Sequence, residues 1–198
     1  MKLILTTAVA ATIMMAACNR DNTSPTTYSP SDYIKSSENL TIPAAVELPA
    51  NATGNTRIAT FYAEGVQKYK AKLKTGSTNE YEWLFVAPQA DLYDVNHKKV
   101  GTHSAGPTWQ LLNSTTDSIY AQQFTPARTA PSPDASSIDW LLLQPKTGKT
   151  PTGFFSQVSY IQRIATLGGK APSTPPASAN ETIDVKYVAV YRFSKKNP

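Results

Sequence analysis

The chain has 198 residues, 40% of them apolar and 17% charged, with 19 Lys and Arg against 14 Asp and Glu, 15 Pro, 9 Gly and a single Cys. That length corresponds to one domain with room for a tail. So few charges combined with so much Pro exclude a coiled coil, a collagen-like fibre and a charge-rich disordered chain, leaving a folded, loop-rich, β-rich domain.

Residues Met1 to Ala17 carry one charge, Lys2, and then run apolar and small with no acid, Pro or Gly. This is the pattern of a secretory signal peptide, too short and wrongly flanked for a transmembrane helix. The run ends Met15-Ala16-Ala17-Cys18, which resembles a bacterial lipobox with Met where Leu is more frequent; Cys18 is then the lipidated first residue of the mature protein. The alternative is an ordinary secretory signal followed by a chance Cys. Cleavage after Ala17 takes Lys2 from the 19 basic residues, leaving 18 against 14 acids and a formal charge of +4. No Cys remains for an internal disulfide, although an exported chain is permitted one. Several acyl chains, at about 0.8 kcal/mol per buried methylene, hold a protein on a membrane where one does not. The expected location is the bacterial cell envelope, lipid-anchored and facing the periplasm or the cell surface.

Residues 18–39 read as the lipidated Cys and a flexible tether, rich in Ser, Thr, Asn and Pro. At roughly 5–6 Å × √n, such a tether holds the domain on the order of 25 Å from its anchor.

Residues 40–198 read as a single all-β domain, an antiparallel sandwich or irregular barrel of about ten short strands. Period-2 alternation marks Arg57–Ala63, Gly65–Leu73, Tyr81–Ala87, Leu92–Val95, Val100–His103, Trp109–Leu112, Ile119–Phe124, Ile138–Leu143, Phe154–Ile164 and Val185–Phe193. In the last of these Val185, Tyr187, Ala189, Tyr191 and Phe193 share a packed face, while Lys186 and Arg192 mark a partly wet one. The Pro- and Ser-rich stretches Thr125–Ser137 and Lys170–Glu181 read as long surface loops.

Three chemical motifs fail. Gly148-Lys149-Thr150 lacks the upstream Gly of a phosphate-binding loop, since position 143 is Leu. Gly101 to Gly106 reads G-x-x-S-x-G, one residue too long for a nucleophile elbow. His97 and His103 are six residues apart across a turn, which is not metal-ligand spacing, and His97 reads as a solvated turn residue. No cofactor or metal is expected, and the small positive excess of an exported chain argues against nucleic acid.

Two features carry more. Lys68, Lys70 and Lys72, continued by Lys74, form a basic ridge opposite Gln67, Tyr69, Ala71 and Leu73. It reads either as a contact for an anionic envelope polymer or lipid headgroups, or as an edge strand armed against aggregation. Gln67 and Gln162 fall on faces shared with apolar residues, and a buried amide left unpaired costs roughly 1–3 kcal/mol. Either they tie the core together, or Gln67, Tyr160, Gln162 and Arg163 join His103, Thr108 and Trp109 around a pocket for a carbohydrate or other polar ligand. A one-residue slip in register inverts that assignment.

In sequence order, Gly65-Val66-Gln67-Lys68-Tyr69, Trp83 with Ala87-Pro88, Ala90-Asp91-Leu92-Tyr93-Asp94, Lys99 to His103, Ala105 to Trp109, Trp140 to Leu143, and Tyr160 to Arg163 running into Gly168 to Pro172 resemble the secreted family catalogued as domain of unknown function 3455. The resemblance spans about Gly65 to Phe193 and implies an exported all-β domain without implying an activity. It also implies a departure: relatives often carry a Cys at the places held here by Ala71 and the loop Thr174–Ala177, consistent with loss of one disulfide as a unit. A lost cross-link of this kind costs about 2–4 kcal/mol.

The functional expectation is an envelope lipoprotein, non-enzymatic, that binds a carbohydrate or other polar ligand. The alternatives are a structural or interaction protein using its Lys-rich sheet on envelope polymers or a protein partner, and, less favoured, an enzyme with His103 as acid or base.

Overall fold

The computed structural model describes residues 29–198; the signal segment 1–17, Cys18 and the first part of the expected tether lie outside the described residues. Eight antiparallel strands follow one another around a closed barrel: β1 (Asn55–Leu73), β2 (Tyr81–Tyr93), β3 (Lys99–Ser104), β4 (Thr108–Leu111), β5 (Ser118–Ala130), β6 (Trp140–Pro145), β7 (Tyr160–Gly168) and β8 (Thr182–Lys196), with β8 returning to pair with β1. Closure removes the free edges that an open sheet must protect.

The ten expected strands become eight because two pairs are continuous. Gly65 carries β1 through: a Cβ there would stand 2.1 Å from the Gln89 carbonyl oxygen, so the two backbones approach more closely than a side chain allows, and the strand continues where alternation suggested a break. Likewise β2 joins Tyr81–Ala87 to Leu92, with a register shift opposite Lys68 and Tyr69. The segment Thr125–Ala130, assigned to a loop, extends β5; Pro126 cannot donate to a ladder and falls where β5 and β6 lose register, between Gln123 and Arg128. The expected strand Phe154–Ile164 begins only at Tyr160, after a 3-10 turn at Gly153–Phe155. The stretch Lys170–Glu181 lies between β7 and β8, as expected of a loop.

The barrel is filled from one end. Small inward residues such as Ala63, Ala90, Ala121 and Ala189 make room for Phe61, Trp109, Tyr191 and Phe193. Phe155 enters from its 3-10 turn, its ring 5.1 Å from that of Phe193, which in turn sits 5.6 Å from Phe61 and 5.7 Å from Trp109. This aromatic plug closes one mouth.

A second layer covers the outside. Helix α1 (Pro30–Ser37) starts at a Pro and carries Asp32 in its first turn, both favourable at a helix N-terminus. Its Ile34 packs on Tyr62 and Val188, and Val46 from a 3-10 turn at Ala44–Val46 packs on Trp140, Leu142, Ile164 and Val190. Arg128 donates to the carbonyls of Ala44, Ala45 and Glu47, while Arg192 donates to the Ser37 carbonyl at 2.8 Å and pairs with Glu38 at 3.2 Å. Residues 30–39 therefore belong to the fold and not to the tether. Their low aliphatic content conceals this, because two side chains, Tyr33 and Ile34, supply the docking face. The same strap buries Arg192, expected on a wet face and found 5% exposed.

Candidate functional site

At the end of the barrel opposite the plug lies a cavity of about 340 Å³ whose wall includes Gln67, His103, Trp109, Arg163 and Tyr191. The register explains why these meet. Ala90 of β2 faces His103 of β3, His103 faces Trp109 of β4, and Arg163 of β7 faces Tyr191 of β8. Inward positions on neighbouring strands thus stack into one ring of side chains.

His103 is held on three sides. Its ring lies 4.4 Å from that of Trp109, nearly parallel at 9°, and 5.0 Å edge-on from Tyr191. Its Nδ1 lies 2.9 Å from the Thr108 carbonyl oxygen; a carbonyl only accepts, so Nδ1 carries the hydrogen and Nε2 the lone pair. Burial pushes its pKa down to about 3, the Thr108 contact opposing and the positive charge of Arg163 assisting. His103 is a neutral, fixed imidazole at neutral pH.

The remaining wall is rich in unspent donors. Gln67 Nε2, the Tyr187 and Tyr191 hydroxyls and Trp109 Nε1 are buried without a hydrogen-bond partner. A loose hydrogen-bonding chain links these groups, with Gln67 reaching toward the Tyr187 hydroxyl, Tyr187 toward Tyr191, and Arg163 toward Tyr191, but its contacts fall short of full hydrogen-bond geometry at the two hydroxyls and the Gln67 amide nitrogen. Burial raises both tyrosines above the usual phenol range, so they stay protonated. Arg163 directs Nε and Nη2 to the Asp139 carbonyl at 3.1 and 2.7 Å, and no ion pair joins it among the described residues. A groove of about 390 Å³ shares Gln67, Phe85, Leu141 and Arg163 with the cavity and extends it past Asp139 and Lys170 at the rim.

Of the seven pocket residues expected from the sequence, Gln67, His103, Trp109 and Arg163 line this cavity. Thr108 contributes its backbone carbonyl, and its hydroxyl donates to the Ala105 carbonyl instead. Gln162 and Tyr160 do not belong to it. Both face outward under the N-terminal strap: Gln162 Nε2 donates to the Val46 carbonyl at 2.7 Å, and Tyr160 packs against the cluster around Trp140. Alternation gave the right set of alternate residues on β7 but the wrong side, because the strap makes the outer face apolar as well. Tyr187 and Tyr191 were visible as members of a packed face, without any signal that their hydroxyls meet a cavity.

The basic ridge is present but compensated. Lys68 pairs with Asp184 at 3.0 Å, Lys74 with Glu80 at 3.3 Å and Lys72 with Glu82 at 3.8 Å, leaving Lys70 without an ion pair among the described residues. Because β1 is bonded to both β2 and β8 through Lys70, Lys68 and Lys70 guard no free edge, while Lys72 pairs with β2 alone. His97 sits exposed in the turn between β2 and β3. Among the described residues no group of three or more His, Cys, Asp or Glu could hold a metal ion, and no helix is long and apolar enough to cross a membrane.

The family model described as "Protein of unknown function (DUF3455)" matches residues 52–195, all of the barrel but its last residue, and the chain belongs to that family. No curated protein and no solved structure matches it.

Proposed function

We propose that this member of the family is an envelope lipoprotein, anchored through Cys18, whose barrel binds a carbohydrate or other small polar ligand without transforming it. The observation that carries the reading is the cavity itself: a closed eight-stranded barrel has room either to be filled by side chains or to hold one small ligand, and here one half is packed with aromatics while the other is open and walled by buried donors that make no well-formed hydrogen bond. Leaving such donors unpaired costs roughly 1–3 kcal/mol each, a cost that a complementary ligand removes. The amide of Gln67 turns on a soft terminal torsion and can meet a ligand with little rearrangement. Burial keeps His103 neutral with its one N–H already spent on Thr108, which suits an acceptor in a wall better than a proton carrier at neutral pH.

The test is a thermal-shift screen of the purified protein against sugars, nucleotides and organic acids, repeated on Leu141→Trp, which puts an indole into the cavity on the face shared with Arg163. A ligand present at a hundred times its dissociation constant adds about 2.7 kcal/mol of stability. A shift seen in the unmodified protein and lost in Leu141→Trp supports the reading; shifts of equal size in both refute it. For the anchor, metabolic labelling with a palmitate analogue should mark the protein and fail on Cys18→Ala; label retained by that variant, or absent from both, contradicts lipidation there.

A further inference from the structure

We infer that the ligand is a small organic carboxylate, its carboxyl group on the Arg163 guanidinium and its apolar body against Phe85, Val86 and Leu141. This rests on the binding reading above and adds the charge and shape of what is bound.

Charge comes first. No Asp or Glu lines the cavity, and Arg163 is the charged side chain in its wall. The nearby Asp139 contributes its backbone carbonyl to Arg163 and lines the adjoining rim groove, as does Lys170. A guanidinium has five N–H hydrogens. Those of Nε and one on Nη2 are turned to the Asp139 carbonyl, which fixes the plane of the group. The terminal edge carries one hydrogen on each Nη, spaced to meet the two oxygens of a carboxylate, and lies toward the Tyr191 hydroxyl, which can join the same group. Its positive charge is felt across the site, drawing down the pKa of Tyr69, His103, Tyr187 and Tyr191 against their burial or, for His103, along with it.

The neutral wall agrees. Gln67 Nε2 and the Tyr191 hydroxyl offer hydrogens that make no well-formed bond within the protein. A sugar could use the acceptors in the wall, His103 Nε2 and the amide oxygens of Gln67 and Gln123, but gains nothing from the charge, whereas a carboxylate only accepts and engages the donors together with the Arg163 guanidinium. The apolar part follows from the rim, where Phe85 is 48% and Val86 51% exposed on consecutive positions of β2. At about 340 Å³ the cavity has room for a compact acid.

The experiment is isothermal titration of the purified protein at neutral pH and low salt with benzoate and hexanoate, and with their neutral counterparts benzamide and hexan-1-ol. At least one acid should bind, roughly tenfold or more tighter than its neutral counterpart, and Arg163→Gln should remove that preference. If a neutral counterpart or a sugar binds as tightly as either acid, or if Arg163→Gln leaves acid affinity unchanged at an intact melting temperature, the carboxylate inference falls while ligand binding in the cavity stands. If the acids and every compound of the wider screen fail to bind, both fall. Should Arg163→Gln not fold, the comparison of acid with neutral counterpart on the unmodified protein decides alone.

Discussion

His103 makes the barrel acid-sensitive in a way that can be measured apart from every other titrating group. It is 3% exposed, and its pKa falls from the ordinary 6.5 to about 3 because burial disfavours the imidazolium. Between those values the unfolded chain binds a proton that the folded chain refuses, so stability rises with pH across the window and is complete above it. The full span corresponds to about 5 kcal/mol, and the part lost on going from pH 7.5 to pH 5.0 is about 2 kcal/mol. Urea unfolding at those two pH values gives the difference for the unmodified protein. His103→Gln keeps a donor for the Thr108 carbonyl and removes the titration, so its own difference should be smaller by about 2 kcal/mol, the carboxylates contributing equally to both. Identical pH dependence in the two proteins, within about 0.5 kcal/mol, would refute the claim that this imidazole is held neutral by burial.

Gly65→Ala drives a Cβ to 2.1 Å from the Gln89 carbonyl oxygen and should cost about 1–3 kcal/mol or more by denaturant unfolding; a neutral result would mean that β1 and β2 are further apart than described. Trp109 is fully buried between His103, Tyr191 and Phe193, so Trp109→Ala should lose about 3–5 kcal/mol and is unsuited as a binding variant; retention of the parent melting temperature would contradict its place in the core. Glu38 is held below the usual carboxylate range chiefly by its hydrogen bond from Arg57, with Arg192 adding to it. A depressed folded-state pKa contributes stability above the ordinary carboxylate range and loses it as pH falls. Hydrogen exchange over residues 30–40 should therefore quicken in acid, and Glu38→Gln should reproduce the fast exchange at neutral pH; protection unchanged by either would remove Glu38 as the clasp of the strap.

Strand content and the all-β class were legible because most strands keep an alternating or short apolar run bounded by turns, and the loop Lys170–Glu181 was legible from its Pro and Ser. Closure was not. Nothing in a strand's composition says whether its last neighbour is its first, and only the pairing of β8 with β1 turns the lysine-bearing strand from an edge into an interior member. The site was half legible for a related reason. Inward and outward faces of β7 and β8 are both buried, the first by the barrel and the second by residues 30–48, so burial of Gln162 could be read from its neighbours while its side could not. Gln67 was assigned correctly because the outer face of its strand carries Lys68, Lys70 and Lys72, which cannot be a core face. The helix over Pro30–Ser37 escaped notice because eight residues are too few for a periodic signal, and its stability comes from docking.

The central claim is that the polar half of the barrel interior is retained for a ligand and not for the fold. Gln67→Leu measures this most directly, since it removes a buried amide donor that makes no well-formed bond in the protein while keeping a side chain of similar bulk. The account predicts two opposite changes in one protein: a melting temperature higher by at least about 2 °C, from relief of roughly 1 kcal/mol or more of unpaired polarity, together with loss or clear weakening of the ligand-induced shift. A lower melting temperature with ligand response intact would mean that Gln67 serves the fold, and would contradict the assignment of the cavity as a binding site.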